Sequence, residues 1–68
     1  MAVLKVIEIM GNSKTSFENA IENVVKEASK TVKNIKSVYV KDMQVTFDNN
    51  KVTSYRVTTK VCFGIIDD

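Results

Sequence analysis

The chain has 68 residues, 10 of them basic and 8 acidic, and a hydrophobic content of 44%. It contains no histidine and a single cysteine, which excludes Ser–His and Cys–His nucleophile pairs, imidazole-ligated zinc sites and an internal disulfide. The basic residues are scattered singly, which argues against a nucleic-acid-binding tail.

The length and hydropathy pattern predict one small domain that covers residues 1–68. A chain of this size buries only about 60% of its unfolded surface, and small scaffolds of this kind often gain stability by self-association. No apolar run approaches the roughly 20 residues of a membrane span, and the first residues lack a signal-peptide pattern. We therefore expect a cytoplasmic protein that binds neither membranes nor nucleic acid.

The first half of the chain predicts a strand followed by one helix. Residues Val3 to Met10 are apolar except for Lys5 and Glu8, which lie on opposite faces of an extended chain, so we predict a strand covered on both sides. The segment Gly11-Asn12-Ser13 is typical of a break between a strand and a helix. From about Thr15 to Ile35, apolar residues recur every three or four positions, as in an amphipathic helix.

The predicted helix combines an apolar stripe with a capping motif. The stripe consists of Phe17, Ala20, Ile21, Val24, Val25, Ala28, Val32 and Ile35. Thr15 and Glu18 match a capping box, and Ser13 is an alternative cap. A helix of this length spans roughly 30 Å and covers one face of a small sheet.

The second half of the chain predicts two long strands, from about Ser37 to Phe47 and from about Lys51 to Ile66. Asp48-Asn49-Asn50 between them favours a tight hairpin, because Asn tolerates positive φ. The second strand alternates imperfectly, whereas in the third an apolar face alternates with a polar one. The apolar face contains Tyr55, Val57, Val61, Phe63 and Ile65, and the polar face contains Ser54, Arg56, Thr58 and Lys60. We expect the aromatic residues Phe17, Tyr39, Phe47, Tyr55 and Phe63 to lie mostly in the core.

The predicted sheet is too large for one helix to cover. One face is left for water, a ligand or further copies of the chain. Strands of this length also expose long edges, which proteins usually pair or cover. The assembled surface is therefore the expected location of function.

Two polar positions within the strands are candidates for binding. Asp42 lies mid-strand, where a carboxylate needs a partner: either an intersubunit salt bridge to Lys41, Lys60 or Arg56, or a cation whose remaining ligands come from other copies around a symmetry axis. Arg56 is either part of a solvated or ion-paired strand face, or a group that stacks on an aromatic ring or binds a phosphate. Cys62 is expected to be a small apolar strand residue.

Four local strings, in their order and spacing, resemble the dodecin family over nearly the whole chain. They are I-E-I-M-G-N-S at Ile7–Ser13, S-F-E-N-A-I at Ser16–Ile21, T-V-K-N-I at Thr31–Ile35 and Y-R-V-T-T-K-V-C-F at Tyr55–Phe63. The resemblance implies an α+β protomer of order β-α-β-β, whose three-stranded antiparallel sheet wraps around one helix. It also implies a hollow homododecamer that stores or buffers a small ligand and is not an enzyme.

The resemblance further implies a rebuilt ligand pocket. The family's flavin-stacking tryptophan falls on Ser37, its flavin-binding glutamine on Arg56, and two of its strand arginines on Gln44 and Gly64. Some dodecin-like proteins that lack the flavin pair resemble cation binders, described as calcium dodecins, and Asp42 lies where certain family members place a pore-facing carboxylate that meets a divalent ion. A dodecamer that binds divalent cations such as calcium is the first hypothesis. A flavin-binding dodecin for FMN or riboflavin with a divergent pocket, and a structural or interaction shell without a small ligand, are the alternatives.

Overall fold

The computed structural model describes residues 3–65, which form three strands and one helix in the order β-α-β-β. The elements are β1 (Leu4–Ser13), α1 (Phe17–Ala28), β2 (Ile35–Asp48) and β3 (Lys51–Gly64). The strands form one antiparallel sheet in the order β1-β3-β2. This confirms the predicted element order and sheet, although β3 ends at Gly64, before the predicted end at Ile66, which itself lies outside the described residues.

The N-cap of the helix lies one residue after the predicted cap at Thr15. Ser16 is the N-cap, and its side chain accepts a hydrogen bond of 2.9 Å from the Asn19 backbone N–H. The hydroxyl of buried Ser13 accepts the backbone N–H groups of Thr15 and Ser16 at 3.0 and 3.3 Å. The capping box of Thr15 and Glu18 was therefore wrong, because Ser13 fixes the preceding loop and leaves Ser16 to cap the helix.

The helix ends at Ala28, seven residues before the predicted end at Ile35. Backbone hydrogen bonds from Lys30 to Glu27 and from Thr31 to Ala28 form a tighter last turn. Asn34 then adopts a left-handed φ of 60°, which reverses the chain so that Ile35 opens β2. The helix is therefore about 18 Å long.

The first strand runs through Gly11-Asn12-Ser13, where the sequence had predicted a break. Gly11 has no positive φ, so it does not form a turn. A Cβ added at Gly11 would collide with the Val24 side chain and the Ala20 carbonyl oxygen. This glycine is required because the helix crosses β1 at this position without space for a side chain.

The core lies between α1 and the neighbouring face of the sheet. Ala20 and Val24 of the helix pack against Val57 and Val61 of β3, and all four are at most 1% exposed. Thr59, also fully buried, donates a 2.7 Å hydrogen bond to the Ile9 carbonyl. Further apolar residues at the margin of this core are Ile7, Ile9, Phe17, Ile21, Ile35, Val38 and Val40.

A β-bulge in β2 explains its imperfect alternation. Val40 pairs with Thr59 and Asp42 pairs with Thr58, so Lys41 is the extra residue. Before the bulge, even-numbered residues such as Val38 share the face of the core residue Val61, and after it odd-numbered residues such as Met43 share that face with Val57. The bulge therefore places Val38 and Val40 on the same face as Met43 and Val45.

The helix is too short to cover the sheet, and several apolar residues stay exposed in the protomer. On the uncovered face these include Leu4, Val6 and Met10 of β1, so the expectation of a first strand covered on both sides is wrong for a single copy. Tyr39 is 64% exposed because it pairs with Lys60 on the sheet face opposite the helix, and Phe47 is 62% exposed because the hairpin extends beyond the helix. The expectation that they lie in the core was therefore wrong, whereas Phe17 and Tyr55 form an edge-to-face pair with ring centroids 5.2 Å apart.

Candidate functional site

The candidate site lies on the sheet face opposite α1, which we call the open face. Its side chains come from residues that alternate with the buried residues of β3 and from their cross-strand partners. Four rows cross the sheet from β1 through β3 to β2: Asn12–Arg56–Gln44, Met10–Thr58–Asp42, Glu8–Lys60–Tyr39 and Val6–Cys62–Ser37. The face is therefore polar at the hairpin end and mostly apolar at the other end.

Asp42 lies on the open face because of the bulge. With regular pairing after Val40, Asp42 would pair with Val57 and face the helix, whereas the observed register pairs it with Thr58. Its carboxylate is exposed and forms no ion pair with any described residue. This geometry removes the cost of burying the charge and leaves the carboxylate available to an external partner.

One copy of the chain does not complete a cation site around Asp42. Within residues 3–65, no group of three or more acidic or cysteine side chains is close enough to hold a metal ion together. The adjacent Thr58 hydroxyl and Asp42 supply at most three oxygens, whereas calcium takes six to eight. The chemistry of Asp42 suits a hard cation, and any such ion needs ligands from water or from other copies.

Lys41, the lysine of β2 next to Asp42, forms its ion pair with Glu8 and not with Asp42. The Lys41 ammonium lies 3.6 Å from the Glu8 carboxylate, so this ion pair reaches from the bulge across β3 to β1. Lys60 is the cross-strand neighbour of Glu8. Within one copy, neither Lys41 nor Lys60 pairs with Asp42 among the described ion pairs, and the predicted intersubunit salt bridge remains a prediction.

Arg56 and Gln44, two of the predicted pocket residues, are direct cross-strand neighbours. On the other side of Arg56 lies Asn12, whose side-chain oxygen accepts a 3.3 Å hydrogen bond from the Arg56 Nε–H group. All three side chains belong to exposed residues. The sheet thus forms a row of three polar side chains about 10 Å wide between its outer strands.

Ser37, the third predicted pocket residue, lies far from this row. It pairs with Cys62, six residues along β3 from Arg56, which corresponds to about 20 Å. One copy therefore does not bring Ser37 and Arg56 into a common pocket, and no enclosed cavity exists among residues 3–65. A pocket that contains both residues requires a second copy.

Two residues of the open face were missed as candidates in the sequence. Asn12 lies in a segment predicted to be a loop, and Tyr39 was assigned to the core. Asn12 could have been found if β1 had been extended to pair with the polar end of β3. Tyr39 shares its parity in the sequence with the apolar Met43, Val45 and Phe47, so only the bulge reveals that it lies on the opposite face from them.

Cys62 is a free, half-buried thiol within β3, in agreement with its expected position in a strand. Its neighbours in the row are Val6 and Ser37. No helix among residues 3–65 is long and apolar enough to cross a membrane.

Comparisons with known proteins agree with this architecture. A family model described as Dodecin matches residues 3–65. The calcium dodecin of Mycobacterium tuberculosis is 35% identical over 63 residues, which are 93% of this chain and 89% of the relative.

Solved structures show the same fold. The structure of the calcium-chelating antigen calcium dodecin from Mycobacterium tuberculosis, described with a calcium-binding site, is 33% identical, with a TM-score of 0.81 and coverage of 97% of this chain and 94% of that chain. A substituted dodecin from Thermus thermophilus is 28% identical, with a TM-score of 0.92 over the whole of both chains. Because the family model and the 35% identical relative both cover nearly the whole chain, this protein belongs to the dodecin family.

Proposed function

We propose that this chain forms a non-enzymatic homododecameric shell in the cytoplasm that binds divalent cations, calcium first among them, in a storage or buffering role. The family membership supports the assembly, and the calcium dodecin relative supports the ion. The exposed apolar residues of the protomer support burial against further copies, because a 68-residue chain with this little core is marginal alone.

The observation that carries the cation proposal is the placement of Asp42. A β-bulge turns this carboxylate onto the open face, where it is exposed and has no cationic partner among the described residues. One carboxylate is a weak calcium site, but a symmetry axis can bring equivalent carboxylates from several copies together. Copies that meet around a three-fold axis would bring three carboxylates to one ion and satisfy much of its preference for oxygen ligands.

The test is a calcium titration of the assembled protein by calorimetry. We expect the Asp42→Asn variant to bind calcium at least about tenfold more weakly, because an amide oxygen replaces a charged ligand at every equivalent position. Asp48→Asn is the matched control, since it removes the same charge at the exposed hairpin turn. Native mass spectrometry of each variant reports subunit number and bound ions together.

Three results would contradict parts of this proposal. Equal affinities of wild type and Asp42→Asn would remove Asp42 from the site. No calcium binding by an intact dodecamer would favour a structural shell without a small ligand. A mass of 7.6 kDa, that of a single chain, would contradict the assembly itself.

A flavin-binding dodecin is the second candidate, and Tyr39 is the observation that favours it. Its ring is exposed on the open face, two residues from Ser37 on β2, so an aromatic surface exists near the position where the resemblance implies a lost stacking residue. A purified protein with flavin absorbance that decreases in Tyr39→Ser would support this candidate. A colourless protein that does not quench added riboflavin fluorescence would exclude it.

A further inference from the structure

The Asn12–Arg56–Gln44 row presents N–H donors to the same side of the sheet. The Arg56 Nε–H group donates to the Asn12 side-chain oxygen at 3.3 Å. Because Nε of arginine is only a donor, this bond fixes the oxygen of Asn12 toward Arg56 and leaves the Asn12 amide N–H groups available. Among residues 3–65, the terminal guanidinium nitrogens of Arg56 donate no hydrogen bond, and the side-chain amide of Gln44 donates none either.

The charges around the row leave Arg56 without a counter-ion. Glu8 is engaged with Lys41 at 3.6 Å, and it also lies beside Lys60. Asp42 lies one row away, but no ion pair joins it to Arg56 among residues 3–65. The guanidinium is therefore held in orientation by a neutral amide rather than neutralised by an acid.

We infer that this row is an anion site for the carboxylate or phosphate group of a small ligand. Arg56 supplies the charge and a planar fork that donates two parallel hydrogen bonds to an oxyanion. Asn12 and Gln44 flank it on the two neighbouring strands and add neutral donors on either side. The hydrogen bond that Arg56 donates to the Asn12 side-chain oxygen limits rotation of the guanidinium, which reduces the entropy lost on binding.

The proposed anion site and the proposed cation site use different residues and bind ions of opposite charge. Calcium binding depends on Asp42, whereas anion binding depends on Arg56 and its two neighbours. Loss of one activity therefore leaves the other measurable, and both are compatible with one assembly. A shell that carries both sites would bind ions of opposite charge on adjacent rows of the same sheet face.

The experiment is a titration of the calcium-free assembled protein with sodium phosphate and, separately, with sodium acetate at low ionic strength. We expect saturable binding of at least one anion, weakened about tenfold or more in Arg56→Gln, which keeps a polar side chain but removes the charge. Arg56→Lys should be weakened to a smaller extent, because it keeps the charge without the fork. Lys26→Gln, which removes an equal charge from the exposed helix surface, should bind like the wild type.

A second variant tests the site from the opposite direction. Asn12→Asp places a carboxylate beside Arg56 and should abolish anion binding while Arg56 itself is retained. Native mass spectrometry of each variant verifies that the assembly is intact. Absence of saturable binding in the millimolar range, or equal weakening in Arg56→Gln and Lys26→Gln, would overturn the inference; the relative strengths of phosphate and acetate identify which group is preferred.

Discussion

Gly11 brings the helix against the first strand because it has no side chain. The two atoms that a Cβ would approach most closely, one on Val24 and one on Ala20, belong to buried residues of the core. The Ala20 partner is backbone and cannot move by a change of rotamer. Adding even one methyl group at residue 11 would therefore disturb the contact between helix and sheet.

We expect Gly11→Ala to lower the free energy of unfolding by about 1–3 kcal/mol, as for other overpacked cores. Denaturant unfolding of the variant and of Lys14→Ala, a control at an exposed neighbouring position, measures the difference. Adding Val24→Ala should recover part of the loss, since it removes the side-chain collision but not the carbonyl collision. Stability equal to the control would mean that the helix can move away from β1 without cost.

The hairpin between β2 and β3 shows how residue chemistry fixes an element. Asn49 and Asn50 have φ values of 51° and 62°, and Asp48 pairs with Lys51 on either side of them. Two consecutive left-handed residues form the turn whose twist matches that of the adjoining strands. This turn fixes the register at the hairpin end, and the shifts farther along β2 then set the rows of the open face.

We therefore expect glycine and alanine, both small residues, to affect stability differently when they replace Asn50. Asn50→Gly should maintain or slightly raise stability, because glycine adopts positive φ freely, whereas Asn50→Ala should lower it by about 1 kcal/mol. Thermal unfolding of the two variants side by side tests this. Equal stabilities would show that the turn can adopt another conformation at no cost.

Elements whose signal is local were predictable from the sequence, and elements set by tertiary contacts were not. The hairpin turn and the alternation of β3 follow from neighbouring residues, and both are confirmed. The helix end was misplaced because Val32 and Ile35 continue an apolar period although Asn34 reverses the chain. For the proposed anion site, the sequence singled out Gln44 and Arg56 but not Asn12, which neighbours Arg56 only because β1 pairs with a strand segment 44 positions away.

At the scale of the whole molecule, the end of the β2–β3 hairpin, beyond Tyr55, is not supported by β1 in a single copy. We call this segment the arm. The protomer measures 51 × 19 × 14 Å, and β1 pairs with β3 only as far as Tyr55. Beyond that point Phe47 and Val52 face each other as an exposed cross-strand pair. An isolated two-stranded ribbon is marginal in water, so the proposed assembly must stabilise this part of the chain.

We expect Phe47→Asp to shift the proposed dodecamer toward smaller species, because it places a charge in a surface that assembly would bury. Lys51→Asp introduces the same side chain at an already charged position of the arm and serves as the control. Light scattering over a range of concentrations compares their masses. A fully assembled Phe47→Asp variant would place the arm outside the intersubunit contacts.

The bulge at Lys41 has a consequence for how this strand tolerates changes in length. Lys41 is surplus to the pairing of β2 with β3, since its neighbours Val40 and Asp42 pair with consecutive residues. Loss of this one residue would restore regular pairing and keep every later side chain on its present face. Strand β2 can therefore shorten here by one residue without exchanging its core residues and its open-face residues, at the cost of the ion pair with Glu8.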